Sequence, residues 1–303
     1  MDNFSFIEKN KEFQKFCKLG KDKLSHAYLV ISPDELTNIT FSKLMAMKIN
    51  CDSICKNCEN CVKIIADNHP DVLSFPKGKN FVVEDASSIV AGLDLAPMLA
   101  EKKVYILNNI NKATIIAQNK LLKAIEEPPK NVIFILNTTS TSSVLPTILS
   151  RVQKIEVSPF SKNEIANFLE NKNVQLDEDV ILQGEGYLGK TLSLSTDVKF
   201  KECCNLVQDI LTNMKSSRDV LKFSVKFAEK ENFAIKLEIL ENEFDKILSK
   251  VISGENKEYT ECAVAEIFEK INLAKKELLA NCNINLISDN LLMGILEVKY
   301  LCK

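Results

Sequence analysis

Glycine and proline are scarce, with eight of each among 303 residues. So few chain breakers imply short connections and many helices. No apolar run reaches the roughly 18 residues that would mark a membrane span, and the opening string MDNFSFIEKN lacks the charged-then-apolar order of an export signal. A cytoplasmic protein with no membrane partner is the expectation. A basic excess is also missing: Lys and Arg number 39 against 41 Asp and Glu, a formal net charge of −2. This chain therefore has no surplus with which to neutralise a row of phosphates, although a local basic face could contribute to a shared nucleic-acid path. Internal repeats and low-complexity tracts are absent, and no tail beyond a few terminal residues reads as disordered.

What is present starts with 46% hydrophobic and 26% charged residues, enough for two or three domains, each with its own core. Ten cysteines without an export signal point to reduced thiols or metal and away from a disulfide framework. Cys51, Cys55, Cys58 and Cys61 cluster in CDSICKNCENC, a CxxxCxxCxxC spacing. Four thiolates so close together can close a tetrahedral shell of soft sulfur around zinc, as structural sites do. A redox CxxC pair and four uncoordinated cysteines are the alternatives left open. His69 is expected to pack or cap, and the adjacent Cys203 and Cys204 to pack.

The stretch from Lys102 to Val152 reads as strand, helix, strand and then a turn presenting one arginine. Val104 to Leu107 and Val132 to Leu136 are continuous apolar runs, which suit strands buried on both faces of a parallel sheet. Between them a helix from Thr114 to Glu127 places Ile115, Leu121, Leu122 and Ile125 on one side, and Pro128 with Pro129 stops it. Phe6, Phe13, Phe16 and Cys17 fall near helical spacing, and SHAYLVIS follows as a strand. Phe81 to Val83 reads as a short strand before a helix over Ala86 to Leu99, and Lys154 to Val157 as a further strand. Ser161 and Glu164 have capping-box spacing.

Taken in series, HAYL, KVYI, a helix ending in LLKAIEEPP, a strand ending in NTTS and then LPTILSR resemble the ATPase domain of clamp-loader subunits in the AAA+ family. Those subunits form rings of five that open sliding clamps and place them on primed DNA. The resemblance implies an α/β plus all-α chain: an AAA+ (RecA-like) parallel-sheet domain over 1–158 with an inserted zinc module at 51–61, a helical lid over 159–198 and a helical collar for oligomerisation over 199–303. In that family HAYL leads into a GxxxxGK loop, followed by Thr or Ser, that cradles nucleotide. Here Ser32 and Thr37 replace the glycines, Asn38 the lysine and Ile39 the magnesium-binding hydroxyl, while Asp34 and Glu35 would repel a triphosphate. The acidic pair that follows KVYI in active relatives is matched by Asn108 and Asn109, whose neutral amides offer magnesium no charge and cannot act as a base. These two asparagines could also cap the next helix. The expected cofactor is structural zinc, with no ATP bound.

Ser150 and Arg151 match the family's Ser-Arg-Cys motif, with Val152 in place of the cysteine. In the rings this arginine reaches into a neighbour's ATP site, where its planar, permanent charge meets the γ-phosphate. Thr138 and Lys190 stand at the two sensor positions and are assigned no role. The implied function is a non-hydrolysing ring subunit that supplies Arg151, with Ser150, in trans to a tau/gamma ATPase subunit. Its partners would be tau/gamma and delta subunits and, through the complex, the sliding clamp and primer–template DNA, all within a DNA polymerase holoenzyme. A divergent AAA+ ATPase acting on DNA and a zinc-dependent DNA-binding module are the rival readings. Beyond Lys199 the chain turns to long amphipathic segments. Leu221, Val225 and Ala228, then Ile267, Ile271 and Ala274, then Ile287, Leu291 and Ile295, are expected to be core faces of a helical bundle.

Overall fold

The computed structural model describes residues 3–301 apart from 79, 173, 175–177 and 257. They fall into two compact units, one of Met1–Gln175 with Glu185–Leu192 and one of Leu176–Gly184 with Ser193–Lys303. The first contains α1 (Asn3–Ile7), α2 (Lys11–Cys17), β1 (Ala27–Ile31), α3 (Glu35–Asn50), α4 (Glu59–Ile65), β2 (Val72–Phe75), α5 (Val83–Gly92), β3 (Lys103–Leu107), α6 (Ile115–Glu126), β4 (Val132–Thr138), α7 (Pro146–Leu149), β5 (Gln153–Glu156) and α8 (Lys162–Asn171). The second holds α9 (Glu178–Gln183), α11 (Val198–Asn213), α12 (Ser217–Phe227), α13 (Phe233–Ile252), α14 (Glu261–Leu279) and α15 (Ile284–Leu301), while α10 (Leu188–Thr196) is shared between the units.

All five strands are parallel and lie in the order β2-β3-β4-β1-β5. Every residue of β3 and β4 is buried, the signature of strands covered on both faces. One face carries Leu29, Tyr105, Phe134 and Leu136 against α5 and α6. On the other, α3 is buried along most of its length and packs against β1, β3 and β4. Phe13 meets Phe41 edge-on, and Phe16 meets Tyr28 in the same way. This sheet order, with helices on both faces and a helical C-terminal region, is the AAA+ (RecA-like) architecture that the sequence implied.

Several local expectations need correction. Phe81 to Val83 forms no strand: Phe81 is a buried plug and the helix already begins at Val83, ending at Gly92 instead of Leu99. The strand at that edge of the sheet is Val72–Phe75, which pairs with β3. On α6 Leu121 and Ile125 are buried, but Ile115 is 64% exposed because it lies in the first turn, beyond the sheet's cover.

In the second unit Ile267, Ile271 and Ala274 of α14 and Ile287, Leu291 and Ile295 of α15 join the core, as do Cys203 and Cys204. On α12, however, Leu221 and Val225 are 62% and 74% exposed, while Val220, Phe223 and Phe227 are buried. This helix carries two apolar stripes, and the one with two phenylalanines removes more apolar area from water. Among the described residues no helix is long and apolar enough to cross a membrane.

Candidate functional site

In an open parallel sheet, ligand-binding loops gather at the carboxyl edge. Ile31 pairs with Thr138, and Leu107 with Leu136, so Ser32, Asn108 and the pair Asn137 and Thr138 share that edge. The turn after β1 enters α3 there, and Asp34 is the N-cap of the helix. Asp34 Oδ2 accepts from the Thr37 amide at 3.1 Å, the Thr37 hydroxyl at 2.5 Å and the Gly189 amide at 2.9 Å. The positive end of a helix attracts an anion, and here the chain supplies its own. Far from merely lining the loop, Asp34 is 7% exposed and turned inward.

Asn38, which stands for the lysine, is also turned inward. Its Nδ2 donates to the Ser32 carbonyl at 2.8 Å and the Thr138 carbonyl at 3.0 Å, stapling the turn to β4. Ile39 is half-buried and offers no hydroxyl. Glu35 pairs with Lys112 at 2.5 Å, and hydrogen bonds from Lys112 and Asn109 hold its carboxyl below the ordinary carboxylate value despite the opposing effect of burial.

A neutral network continues across the edge. The Ser42 hydroxyl donates to Asn137 Oδ1 at 2.5 Å, and Asn137 Nδ2 donates to Asn108 Oδ1 at 2.6 Å. Asn108 is thus a link in an amide chain, and Asn109 is left-handed (φ 53°, ψ 46°) with no capping bond, so neither caps the next helix. Thr114 caps α6 instead. The Thr138 hydroxyl bonds the Ser140 carbonyl at 2.5 Å, and Lys190 pairs with Glu185 at 3.1 Å.

The four clustered cysteines converge. Their sulfurs all lie within 4.8 Å of one another, and Cys51 Sγ is 3.7 Å from Cys55 Sγ. Four sulfurs at about 2.3 Å from a tetrahedral zinc are about 3.8 Å apart, so the cage fits a four-thiolate metal. At Cys51 burial opposes ionisation, but hydrogen bonds from the Cys55 amide, the Ser53 hydroxyl and neighbouring thiols bring the thiol down to about 6. The amides of Asn57 and Cys58 lower Cys55, whereas burial pushes Cys61 well up. A divalent cation would resolve that conflict by holding all four as thiolates. His69 lies outside the cage, buried, with Nδ1 accepting from the Asp71 amide at 3.0 Å and Nε2 3.2 Å from Asn60 Oδ1.

Arg151 is at the surface, its side chain 33% exposed. The guanidinium donates to the Thr147 carbonyl at 2.8 Å, the Ser150 hydroxyl at 3.3 Å and Glu126 at 3.0 Å. Glu126 belongs to the EEPP string, so the two motifs meet in space.

Three contributors were not legible in sequence. Gly189 lets the segment 185–192 touch Asp34. Gln118, fully buried on α6, fixes the loop before α7. Asp71 accepts from the amides of Met98, Leu99 and Ala100 at 2.6 to 2.8 Å. A polar residue on the apolar side of a helix, as at Gln118, was the only available signal.

Such a sheet, with the nucleotide-type turn filled from within and a cysteine cage beside α3, defines an AAA+ domain of clamp-loader type. The chain belongs to the family described as DNA polymerase III, delta subunit, whose pattern matches residues 8–161. The delta' subunit of DNA polymerase III from Bacillus subtilis is 25% identical over 306 residues, covering 92% of this chain and 93% of that protein. The tau subunit of the same organism is 29% identical over 209 residues, covering 67% of this chain but 36% of its own length. The chain likewise spans 44% of a gamma subunit from Buchnera aphidicola, at 29% identity over 161 residues and 50% of this chain. A gamma subunit-related protein from Thermotoga maritima, solved by crystallography, aligns over 98% of both chains with 21% identity and a TM-score of 0.41.

Proposed function

We propose that this chain serves as the delta prime subunit of a bacterial DNA polymerase III clamp loader, in the cytoplasm, binding and hydrolysing no nucleotide itself. The observation that carries this reading is a contrast between two sites. The phosphate turn is closed by Asp34 and Asn38, whereas Arg151 keeps its guanidinium at the surface. Near-complete mutual coverage with a delta' relative, against partial coverage of tau and gamma, supports the same assignment.

In the proposed mechanism Arg151 completes the ATP site of an adjacent tau/gamma subunit. Ser150 and the Thr147 carbonyl orient the guanidinium, and Glu126 holds it until a phosphate competes. The lid and collar expected over 159–198 and 199–303 would join the ring, with delta, the clamp and primer–template DNA as further partners. Cys51, Cys55, Cys58 and Cys61 would hold one structural zinc, which supplies a cross-link between the end of α3 and α4.

Arg151→Ala in the reconstituted complex should leave assembly intact and lower DNA-dependent ATP turnover at the served site by about 10-fold or more, given the ~10³–10⁵ of known arginine fingers. Turnover equal to wild type would remove the assignment. Saturable, magnesium-dependent ATP binding by the isolated chain would instead favour a divergent ATPase. Salt-sensitive binding of primed DNA by the isolated chain would favour a DNA-binding module.

A further inference from the structure

The closed turn contains more than an absence of nucleotide chemistry. Asp34 gathers three donors: two come from Thr37 in the first turn of a 16-residue helix, and the third is the backbone amide of Gly189, 155 positions away in sequence. The approach is so close that a Cβ on residue 189 would sit 2.2 Å from Asp34 Oδ1 and 2.9 Å from the Leu36 Cβ. Two bonds on either side fix the same arrangement. Ser32 Oγ accepts from the Asp34 amide at 3.2 Å, setting the carboxylate's angle, and the Gly186 carbonyl accepts from the Phe160 amide at 2.9 Å, fixing the start of the segment. A buried carboxylate loses much of its hydration, and three short hydrogen bonds compensate only while all three donors are in place.

We infer that Asp34 is a built-in anion that takes the place of a phosphate: it excludes external anions from the α3 N-terminus and latches residues 185–192 to the turn without any nucleotide. The inference deepens the non-binding reading proposed above and rests on it. It makes Asp34 the specificity-determining residue of the turn and Gly189 its receptor. A ligand that bridges turn and lid segment shifts a nucleotide-binding domain towards its closed arrangement. This one carries the bridging charge covalently and is biased to the closed arrangement with no ligand bound.

The test is residue-resolved amide exchange on the full chain, with inorganic pyrophosphate as probe. In the wild type the Gly189 amide should be protected, and pyrophosphate should change nothing. Asp34→Ala should speed exchange at Gly189 and Thr37 by at least about tenfold, with the β3 and β4 amides unaltered, and millimolar pyrophosphate should slow it again by occupying the vacated place. Asp34→Asn, which keeps the shape and one acceptor, serves if the alanine variant fails to fold, and should show the same loss to a smaller degree. Unchanged Gly189 protection in the variant that folds would overturn the latch. Lost protection without rescue by pyrophosphate would overturn the phosphate-surrogate assignment. ATP binding by the wild type alongside a normal loss in Asp34→Ala would instead sink the non-binding reading and leave the latch standing.

Discussion

At Arg151 the placement of a single guanidinium depends on a neighbouring hydroxyl and on a carboxylate that lies far from it in sequence. Glu126 pairs with it across 25 positions, and both partners are partly solvated, so the pair adds little to stability. Its value lies in keeping a long side chain in one orientation at a surface. Gln118 acts one step further back. Its Nε2 donates to the carbonyls of Ser143 at 3.0 Å and Ala113 at 3.2 Å, and its Oε1 accepts from the Leu145 amide at 2.9 Å, just ahead of α7. Gln118→Leu removes three hydrogen bonds made by a fully buried side chain, one to the buried Ala113 carbonyl and two to the partly exposed loop at Ser143 and Leu145. It should cost about 2 kcal/mol or more, measured by urea unfolding, and, if Arg151 acts in trans as proposed, should lower ATP turnover of the reconstituted complex even at temperatures where the variant remains folded.

Among the elements, the cysteine knuckle shows how a small motif is anchored. Lys56, left-handed within the cysteine loop, donates to Ser5 at 2.7 Å and pairs with Glu8 at 2.9 Å, tying the loop to α1 and the turn that follows it. Phe6 of α1 in turn packs on Phe160 and Phe168 at ring separations of 4.7 and 5.1 Å. Cys58→Ser should reduce bound zinc from about one equivalent to a trace, by metal analysis of protein purified without chelator. Amides over 51–67 should then lose exchange protection while those of β3 and β4 keep theirs, because the core between the sheet and α5 and α6 contains none of the four cysteines. A different lesson comes from α12, where two stripes of similar spacing compete and the aromatic one is buried; periodicity gives a helix, but which stripe wins depends on the area the neighbours offer.

On the scale of the whole molecule, stability should fall on both sides of a broad pH plateau, with Asp71 and His69 of the first unit contributing to the acid limb and Lys246 of the second to the alkaline one. Burial opposes ionisation of Asp71, but the amides of Ala100, Met98 and Leu99 more than reverse this and hold its carboxyl below the ordinary 3.8. That contribution is complete above 3.8 and is lost as pH falls through the lower folded value. His69, kept neutral by burial below its ordinary 6.5, acts with the same sign, so the acid limb of the first unit begins under 6.5. In the second unit Lys246 is bonded to Asp179 and to Glu243, the latter at 2.7 Å, and despite burial its ammonium is held above the ordinary 10.5. Its contribution is full below 10.5 and is lost as pH rises through the folded value. Amide exchange resolved by unit should show the acid limb flattened in Asp71→Asn and the alkaline limb flattened in Lys246→Met.

The continuous apolar runs at Val104 and Val132, the helix-stopping prolines and the CxxxCxxCxxC spacing were decided locally, because burial on both faces, backbone geometry and ligand spacing are properties of short segments. The sequence by itself therefore determined the parallel-sheet class, the helical remainder and the positions where the residues of a nucleotide-type turn are replaced. Only the tertiary structure decided what the replacements do. Asp34 looks in sequence like a charge that repels phosphate; in the fold it caps α3 and grips Gly189. Asn108 looks like a spent acid or a helix cap; it is one end of an amide chain that begins at Ser42. In both cases the partner comes from a distant segment, and a hydrogen bond depends on distance in space, which neither spacing nor composition records.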